Sequence, residues 1–205
     1  MDTTKTKIKN KNYKNLMPNT NSSTIKVQKR DGRLESLDIN KIHFVVEEAC
    51  EGLPGVSASQ IEMNANIQFY DGMTTKDIQN VLVCSANDLI TLEAPNYQYA
   101  AARLLSYDVR KEAHGQYEYI PLLKLVLRNI RLGVYDKGIV EKYTKTDIKK
   151  LNTWIRRDRD LNFTYSGLRQ VVDKYLVQDR SSGQLYETPQ DMYMMIAATL
   201  FAGYP

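Results

Sequence analysis

Two adjacent cations lie in the most informative stretch of the chain, Lys29-Arg30-Asp31-Gly32. An Asp-Gly pair between alternating apolar residues predicts a β-hairpin, because glycine tolerates the positive φ of a tight turn. Two cations held at such a turn, beside a helix N-terminus, have the charge needed to bind a polyphosphate. For the hairpin taken alone, a solvated turn without a ligand is the alternative, since charged turns are common on protein surfaces.

Other residues that suit a nucleotide follow the hairpin or stand much later in the chain. Glu35 and Asp38 flank a predicted helix start, where they could accept hydrogen bonds from an adenine amino group or a ribose. Thr75 lies at the start of a later helix, and Lys111 near the end of the next. The sequence thus offers the parts of an anion site, but their convergence depends on the fold.

The usual motifs of a catalytic site are absent from the sequence. It contains no HExxH, GxSxG, GxxxxGK[ST] or GxGxxG pattern. The two histidines, His43 and His114, are interpreted as structural or surface residues. Cys50 and Cys84 fall in predicted helices and are interpreted as small buried apolar residues. We therefore predict no catalytic residue and no metal site.

The elements that must position the candidate residues follow from apolar periodicity. Ile25 and Val27 alternate with polar residues, which predicts a half-buried strand before the turn. Four helices then follow, and a small unit over 24–114, a short sheet with four helices, is expected. The predicted caps and breakers of these helices are Asp38, Ser57 in a capping box with Gln60, Thr74 or Thr75, Pro95 and His114-Gly115.

Residues 115–205 are predicted to form a helical unit with one short β-hairpin around Ser181-Ser182-Gly183. The overall fold class is therefore α+β, mainly α. The last predicted helix, 189–202, is apolar around its circumference, so it is expected to need cover on more than one side. The other predicted helices span 121–134, 145–155 and 165–176.

The basic character of the chain is confined to its start. Residues 1–23 carry five lysines and one acid, which accounts for the net charge of +4, and residues 24–205 are neutral. This polar segment is predicted to be a disordered tail, and a neutral remainder argues against a duplex-binding surface. No run approaches 18 apolar residues and no signal-peptide core is present, so we predict no membrane contact and a cytoplasmic location.

The pattern Val27-x-Lys29-Arg30-Asp31-Gly32-x-x-Glu35-x-x-Asp38-x-x-Lys41-Ile42 resembles the signature of the ATP-cone domain. Its continuation resembles the N-terminal region of the large (alpha) subunit of class I ribonucleoside-diphosphate reductase. The similarity runs from about residue 24 to the end of the chain. The supporting stretches are 67–72, 94–104, 158–160 and 174–178.

The resemblance implies an allosteric site over about 25–114, followed by a helical domain that precedes the catalytic barrel. In that family ATP favours activity and dATP switches the enzyme off, often by changing subunit assembly. Lys29 and Lys111 would contact the phosphates, 35–41 would surround base and sugar, and Mg²⁺ would accompany the nucleotide. The nucleotide-binding residues expected are Lys29, Arg30, Glu35, Ser36, Leu37, Asp38, Ile39, Asn40, Lys41, Thr75 and Lys111.

Two positions depart from the family pattern. Relatives carry histidine where this chain has Gln79 and Asp108, and both positions are expected to border the nucleotide. Losing two potential cations and gaining an acid should weaken anion binding or alter the discrimination between ATP and dATP. The resulting hypothesis is that the cone binds nucleotide but that dATP inhibits weakly or not at all.

The cysteines and barrel residues that the family uses for thioredoxin-dependent reduction have no match here, so the chain alone is predicted to be inactive. The chain would be a fragment or one piece of a split enzyme for deoxyribonucleotide synthesis. The partners implied are the barrel portion of the large subunit, on the same or another chain, the small radical-generating subunit and further alpha copies in the holoenzyme.

Two alternatives belong to other classes of protein. A cone-bearing transcription regulator would need a four-cysteine zinc ribbon ahead of the cone, and residues 1–24 contain no cysteine. An unrelated basic nucleic-acid-binding protein is disfavoured by the neutral remainder of the chain.

Overall fold

A computed structural model describes residues 25–204, so the predicted disordered tail over 1–23 lies outside the described residues. The first part of the described chain contains β1 (Lys26–Gln28), β2 (Leu34–Ser36), α1 (Ile39–Cys50), α2 (Ala58–Asn66), β3 (Met73–Thr74), α3 (Thr75–Asp88) and α4 (Tyr97–His114). The second part contains α5 (Leu122–Arg131), α6 (Gly138–Lys142), α7 (Lys145–Trp154), a 3₁₀ helix (Arg157–Asn162), α8 (Tyr165–Lys174) and α9 (Pro189–Leu200). The predicted α+β, mainly helical class is confirmed.

The small sheet has the strand order β2-β1-β3. The predicted hairpin pairs β1 with β2 in antiparallel fashion, with Val27 opposite Glu35, and Gly32 takes a φ of +84° in the turn. On its other edge β1 pairs with β3 in parallel, Val27 opposite Met73. The sequence did not predict β3, because two residues are too short to give a periodic signal.

Side-chain caps set the helix starts near the hairpin. Asp38 accepts hydrogen bonds from the backbone N–H groups of Asn40 and Lys41 at the start of α1. Thr74, rather than Thr75, caps α3 by accepting from the backbone of Asp77. Thr75 is therefore the first helical residue, and its side chain is free of the capping role.

The capping box predicted for α2 is only half formed. Ser57 accepts a hydrogen bond from the backbone N–H of Gln60, as predicted. The Gln60 side chain, however, accepts from the Tyr97 hydroxyl at 2.5 Å, and that hydroxyl accepts from the Ser57 backbone at 3.0 Å. A tyrosine 40 residues away has replaced the local partner, which ties α2 to α4.

Helix α4 is central to the larger core. Its Ala100, Ala101 and Leu104 are fully buried, and α1, α3 and α8 all pack against it. Since Leu168 of α8 joins the same apolar core, that core continues past residue 114. A second core surrounds α5 and α7 and includes Leu122 and Ile148. The division of the chain at residue 114 stays a prediction.

The expectation that both cysteines are buried was wrong. Cys84 is exposed and Cys50 half-buried, because only part of each amphipathic helix faces the core. The hairpin predicted around 181–183 forms with one antiparallel bridge, between Gln178 and Leu185, and backbone hydrogen bonds from Asp179 to Gln184 and from Tyr186 to Val177. Helix α6 was not predicted. Within 25–204, no helix combines the length and the apolar composition needed to cross a bilayer.

Candidate nucleotide-binding site

A cavity of about 580 Å³ opens between the hairpin, α1, α3 and the end of α4. We call it the hairpin cavity. It brings together residues that are up to 88 positions apart, from Val27 to Gly115, and both Lys29 and Lys111 are among them. Eight of the eleven predicted residues line it: Lys29, Arg30, Glu35, Leu37, Asp38, Lys41, Thr75 and Lys111.

The other three predicted residues, Ser36, Ile39 and Asn40, are not part of the lining. Side chains alternate along a strand, so Glu35 faces the cavity and Ser36 does not. On α1 the lining residues recur at helical spacing, which leaves Ile39 and Asn40 on another face. Ile39 is 66% exposed. A contact between these three side chains and a ligand in the cavity is therefore not expected.

Apolar residues line the floor of the hairpin cavity, and the sequence predicted only one of them, Leu37, as a site residue. The others come from β1, α1 and α3, and on each helix they are three or four residues apart, so helical periodicity could have identified them. They are Val27, Ile42, Val45, Ile78 and Leu82.

Most cations of the hairpin cavity are paired with carboxylates. Lys29 Nζ lies 2.7 Å from Glu35 Oε1, and Arg30 Nη2 lies 2.7 Å from Asp108 Oδ1. Lys41 Nζ is 3.6 Å from Asp38 Oδ2. These side chains are partly exposed, apart from Asp108, so their pairs lie at the boundary between the protein and water.

Lys111 differs from these cations. Among the described residues, no carboxylate lies within ion-pair distance of its ammonium group, which stands 5.6 Å from the centre of the Tyr117 ring. Burial, followed by the positive charge of Arg30, lowers the pKa of Lys111. A half-buried ammonium group among other cations is a favourable partner for an anion.

The two departures from the family pattern play different roles. Gln79 lines the hairpin cavity, and its Nε2 donates to the Leu104 carbonyl at 2.8 Å, which fixes α3 against α4. Asp108 lies behind the lining, where it is bonded to Arg30. Burial raises the pKa of Asp108, and the charge of Arg30 opposes that rise.

Two protein families match parts of the chain. Residues 25–112 match the ATP cone domain, and residues 161–204 match the ribonucleotide reductase all-alpha domain. Residues 25–112 therefore belong to the ATP cone family and residues 161–204 to the ribonucleotide reductase all-alpha family. The family expected from the sequence is thus confirmed, and the cone match includes all eleven predicted site residues.

Similar proteins are ribonucleoside-diphosphate reductase alpha subunits. Subunit alpha of reductase 1 from Salmonella typhimurium is 45% identical over 184 residues, and that from Escherichia coli is 45% identical over 179 residues. The alpha subunit of Enterobacteria phage T4 is 40% identical over 183 residues. These matches cover 90%, 87% and 88% of this chain, which spans 24% of each relative.

A second charged group joins the end of α4 to the start of α9. His114, at the end of α4, lies 3.1 Å from Asp191 Oδ2 on α9, and Arg157 Nη2 lies 2.7 Å from Asp191 Oδ1. Thr188 also donates to Asp191, at 2.6 Å. We call these four residues the Asp191 cluster. The structural role predicted for His114 fits this position.

Proposed function

We propose that this chain is an allosteric regulatory region whose cone binds ATP and dATP in the hairpin cavity. The observation that carries the proposal is the convergence of Lys29, Arg30 and Lys111 on one cavity, although they come from two distant parts of the chain. Polyphosphates are bound in proteins by such clusters of cations, commonly beside a helix N-terminus. Thr75 supplies that terminus here, at the first position of the 14-residue helix α3.

The lining divides into a part that suits phosphates and a part that suits a nucleoside. Lys111, Lys29 and Arg30 would bind the phosphates, with any Mg²⁺ carried by the nucleotide itself. Glu35 and Asp38 would accept hydrogen bonds from the base or the ribose. The apolar floor, including Ile42 and Ile78, would pack against the base. Lys41 would interact with the base or the ribose.

We further propose that the chain regulates the reduction of ribonucleoside diphosphates, the activity named for its relatives, without supplying a catalytic residue. Its partners would be the barrel portion of the large subunit, a small radical-generating subunit and further alpha copies. Since Asp108 places an acid beside a phosphate-binding cation, dATP would inhibit the assembled enzyme weakly. Strong dATP inhibition of the holoenzyme would contradict that last point.

Calorimetric titration of the 205-residue chain with ATP and dATP tests the binding proposal. We expect binding in the micromolar range, weakened about 10- to 100-fold by Lys111→Ala, because one charge-assisted contact with a phosphate is lost. Lys149→Ala is the matched control, since Lys149 is exposed on α7 and lies outside the lining. A folded chain that binds neither nucleotide, or equal affinities for the two variants, would refute the proposal.

A further inference from the structure

The ion pair between Arg30 and Asp108 joins a ligand-facing cation to a buried acid. The Arg30 side chain is 41% exposed and lines the hairpin cavity, whereas the Asp108 side chain is 11% exposed and lies behind it. The two residues are 78 positions apart, so the pair forms only when the hairpin docks on α4. Arg30 is consequently bound to a protein anion at the place where a phosphate would have to bind it.

No other cation takes the place of Arg30 at Asp108 within the described residues. Lys76 of α3 is bound to Glu112 at 3.1 Å, one turn further along α4. Lys111 is near enough for its charge to act on Asp108, but it makes no ion pair with that carboxylate. If Arg30 moves away, Asp108 remains as a buried acid beside Glu112, a second acid.

We propose that Asp108 competes with the phosphates of the bound nucleotide for Arg30, and so sets the affinity of the site for polyphosphates. This inference rests on the proposed function of the hairpin cavity. A ligand that draws Arg30 away leaves a buried carboxylate without its cation, which is costly. The cost arises only for a ligand whose phosphates reach Arg30, so ATP is penalised more than AMP.

The competition also couples binding to a proton. Losing Arg30 and gaining phosphates nearby both raise the pKa of Asp108, which burial has already raised. Bound protein therefore holds more protons on Asp108 than free protein does, and ATP affinity falls as pH rises across the interval between the two pKa values. The charged groups that act on Asp108 are Arg30, Glu112, Lys76 and Lys111.

The test compares ATP and AMP binding by the wild-type chain, Asp108→Asn and Glu112→Gln. Asn keeps the shape of Asp108 and can still accept from Arg30, and Glu112→Gln changes the net charge by the same amount one helical turn away. We expect Asp108→Asn to tighten ATP binding about tenfold, the size of one charge-assisted hydrogen bond, and AMP binding less than about twofold. Glu112→Gln should leave both affinities within about twofold.

Two further measurements separate competition from a merely structural role. Titration in buffers of different ionisation enthalpy should show less proton uptake per ATP for Asp108→Asn than for the wild-type chain. In an Arg30→Gln background, Asp108→Asn should lose most of its effect. Arg30→Gln alone should weaken ATP binding less than Lys111→Ala, because Arg30 is already neutralised in the free protein.

Each outcome decides the inference. If the wild-type chain binds ATP and Asp108→Asn leaves the affinity unchanged or weakens it, Asp108 does not compete but positions Arg30, and the inference is wrong. Equal gains from Asp108→Asn and Glu112→Gln would reduce it to a general charge effect and overturn it. If neither the wild-type chain nor Asp108→Asn binds ATP, the proposed function fails and the inference fails with it.

Discussion

The C-terminal half of α4 contributes to two groups of charged residues that differ in their access to water. In the hairpin cavity, Lys29, Glu35 and Arg30 are partly exposed, so water or an anion can reach the cation of each ion pair. In the Asp191 cluster the side chains of His114 and Asp191 have no exposed area. Similar residue types therefore form a ligand-accessible site in the hairpin cavity and a permanent contact between elements in the Asp191 cluster.

Burial alone does not explain why the Asp191 cluster is stabilising, as a second buried acid shows. Asp160 is as buried as Asp191, but neither of its oxygens accepts a hydrogen bond of normal geometry. Burial raises the pKa of Asp160 to about 6, against the smaller effects of Gln190 and Arg157. Burial alone would also raise the pKa of Asp191, but His114 and Arg157 hold it well below its usual range. Partners, rather than depth, make a buried charge stabilising.

The largest effect is expected from Asp191→Ala. It leaves Arg157 without its buried partner carboxylate, and removing one member of a buried pair typically costs about 3–5 kcal/mol. Urea unfolding of the variant and the wild-type chain measures the loss. Lys29→Gln, which removes the partly exposed pair with Glu35, is the comparison and should cost much less, because water screens that pair. Similar losses of unfolding free energy for the two variants would remove the distinction between the Asp191 cluster and the hairpin cavity.

Asp160→Asn should stabilise the protein near neutral pH. The folded-state pKa of Asp160 lies above its unfolded value, so ionising it in the folded protein is unfavourable above about pH 6. As pH falls from about 6 towards 4 that penalty is relieved, because only the folded state takes up the proton. With a pKa of about 6 against the ordinary value of 3.8, the gain from Asp160→Asn is at most about 3 kcal/mol above pH 7.

Unfolding by urea at pH 5.0 and pH 7.5 checks this expectation for Asp160→Asn. Asp158→Asn is the control, since Asp158 is exposed and Arg156 lowers its pKa instead. The benefit of Asp160→Asn should be larger at pH 7.5 than at pH 5.0, and Asp158→Asn should give no such benefit. A destabilised Asp160→Asn at pH 7.5 would mean that the carboxylate has a stabilising partner after all.

Gly32→Ala tests whether the hairpin turn positions the site. Gly32 has a φ of +84°, and a side chain there costs about 1–2 kcal/mol. Gly133→Ala is the matched control, with a φ of +73° after α5 and equally open space around the added carbon. Both variants should lose similar stability in urea unfolding. Only Gly32→Ala should weaken ATP binding, because only that turn carries Lys29 and Arg30; equal ATP affinities would show that the turn is not needed.

Salt should give the smallest effect. Raising NaCl from 0.05 to 0.5 M should weaken ATP binding severalfold, because charges at a water-accessible cavity are screened. The corresponding loss of binding free energy is below about 1 kcal/mol. The stability difference between Asp191→Ala and the wild-type chain should hardly change, because that cluster is shielded from ions. Binding of adenosine, which has no charge, is the control in calorimetry. A salt-independent ATP affinity would place the phosphates away from Lys29, Arg30 and Lys111.

Local signals in the sequence predicted much of the cone. Asp31-Gly32 predicted the hairpin, Asp38 predicted the start of α1, and Gly115 predicted the end of α4, where its φ is +73°. Each of these signals lies within a few residues of the feature that it predicts, because turns and caps are satisfied by neighbouring backbone groups. Residue types alone suggested six of the candidate site residues and the family resemblance added five, and the fold brings eight of these eleven to one cavity.

Only the tertiary structure decided which charges are exchangeable and which are fixed. The partner of Arg30 lies 78 residues away, and that of His114 lies 77 residues away, so no local pattern could identify either. The Asp158-Arg159-Asp160 stretch places a buried acid beside two charged neighbours on one 3₁₀ helix, which composition cannot predict. Burial and pairing depend on how distant elements pack, and they determine whether a charge binds ligand, stabilises the fold or opposes it.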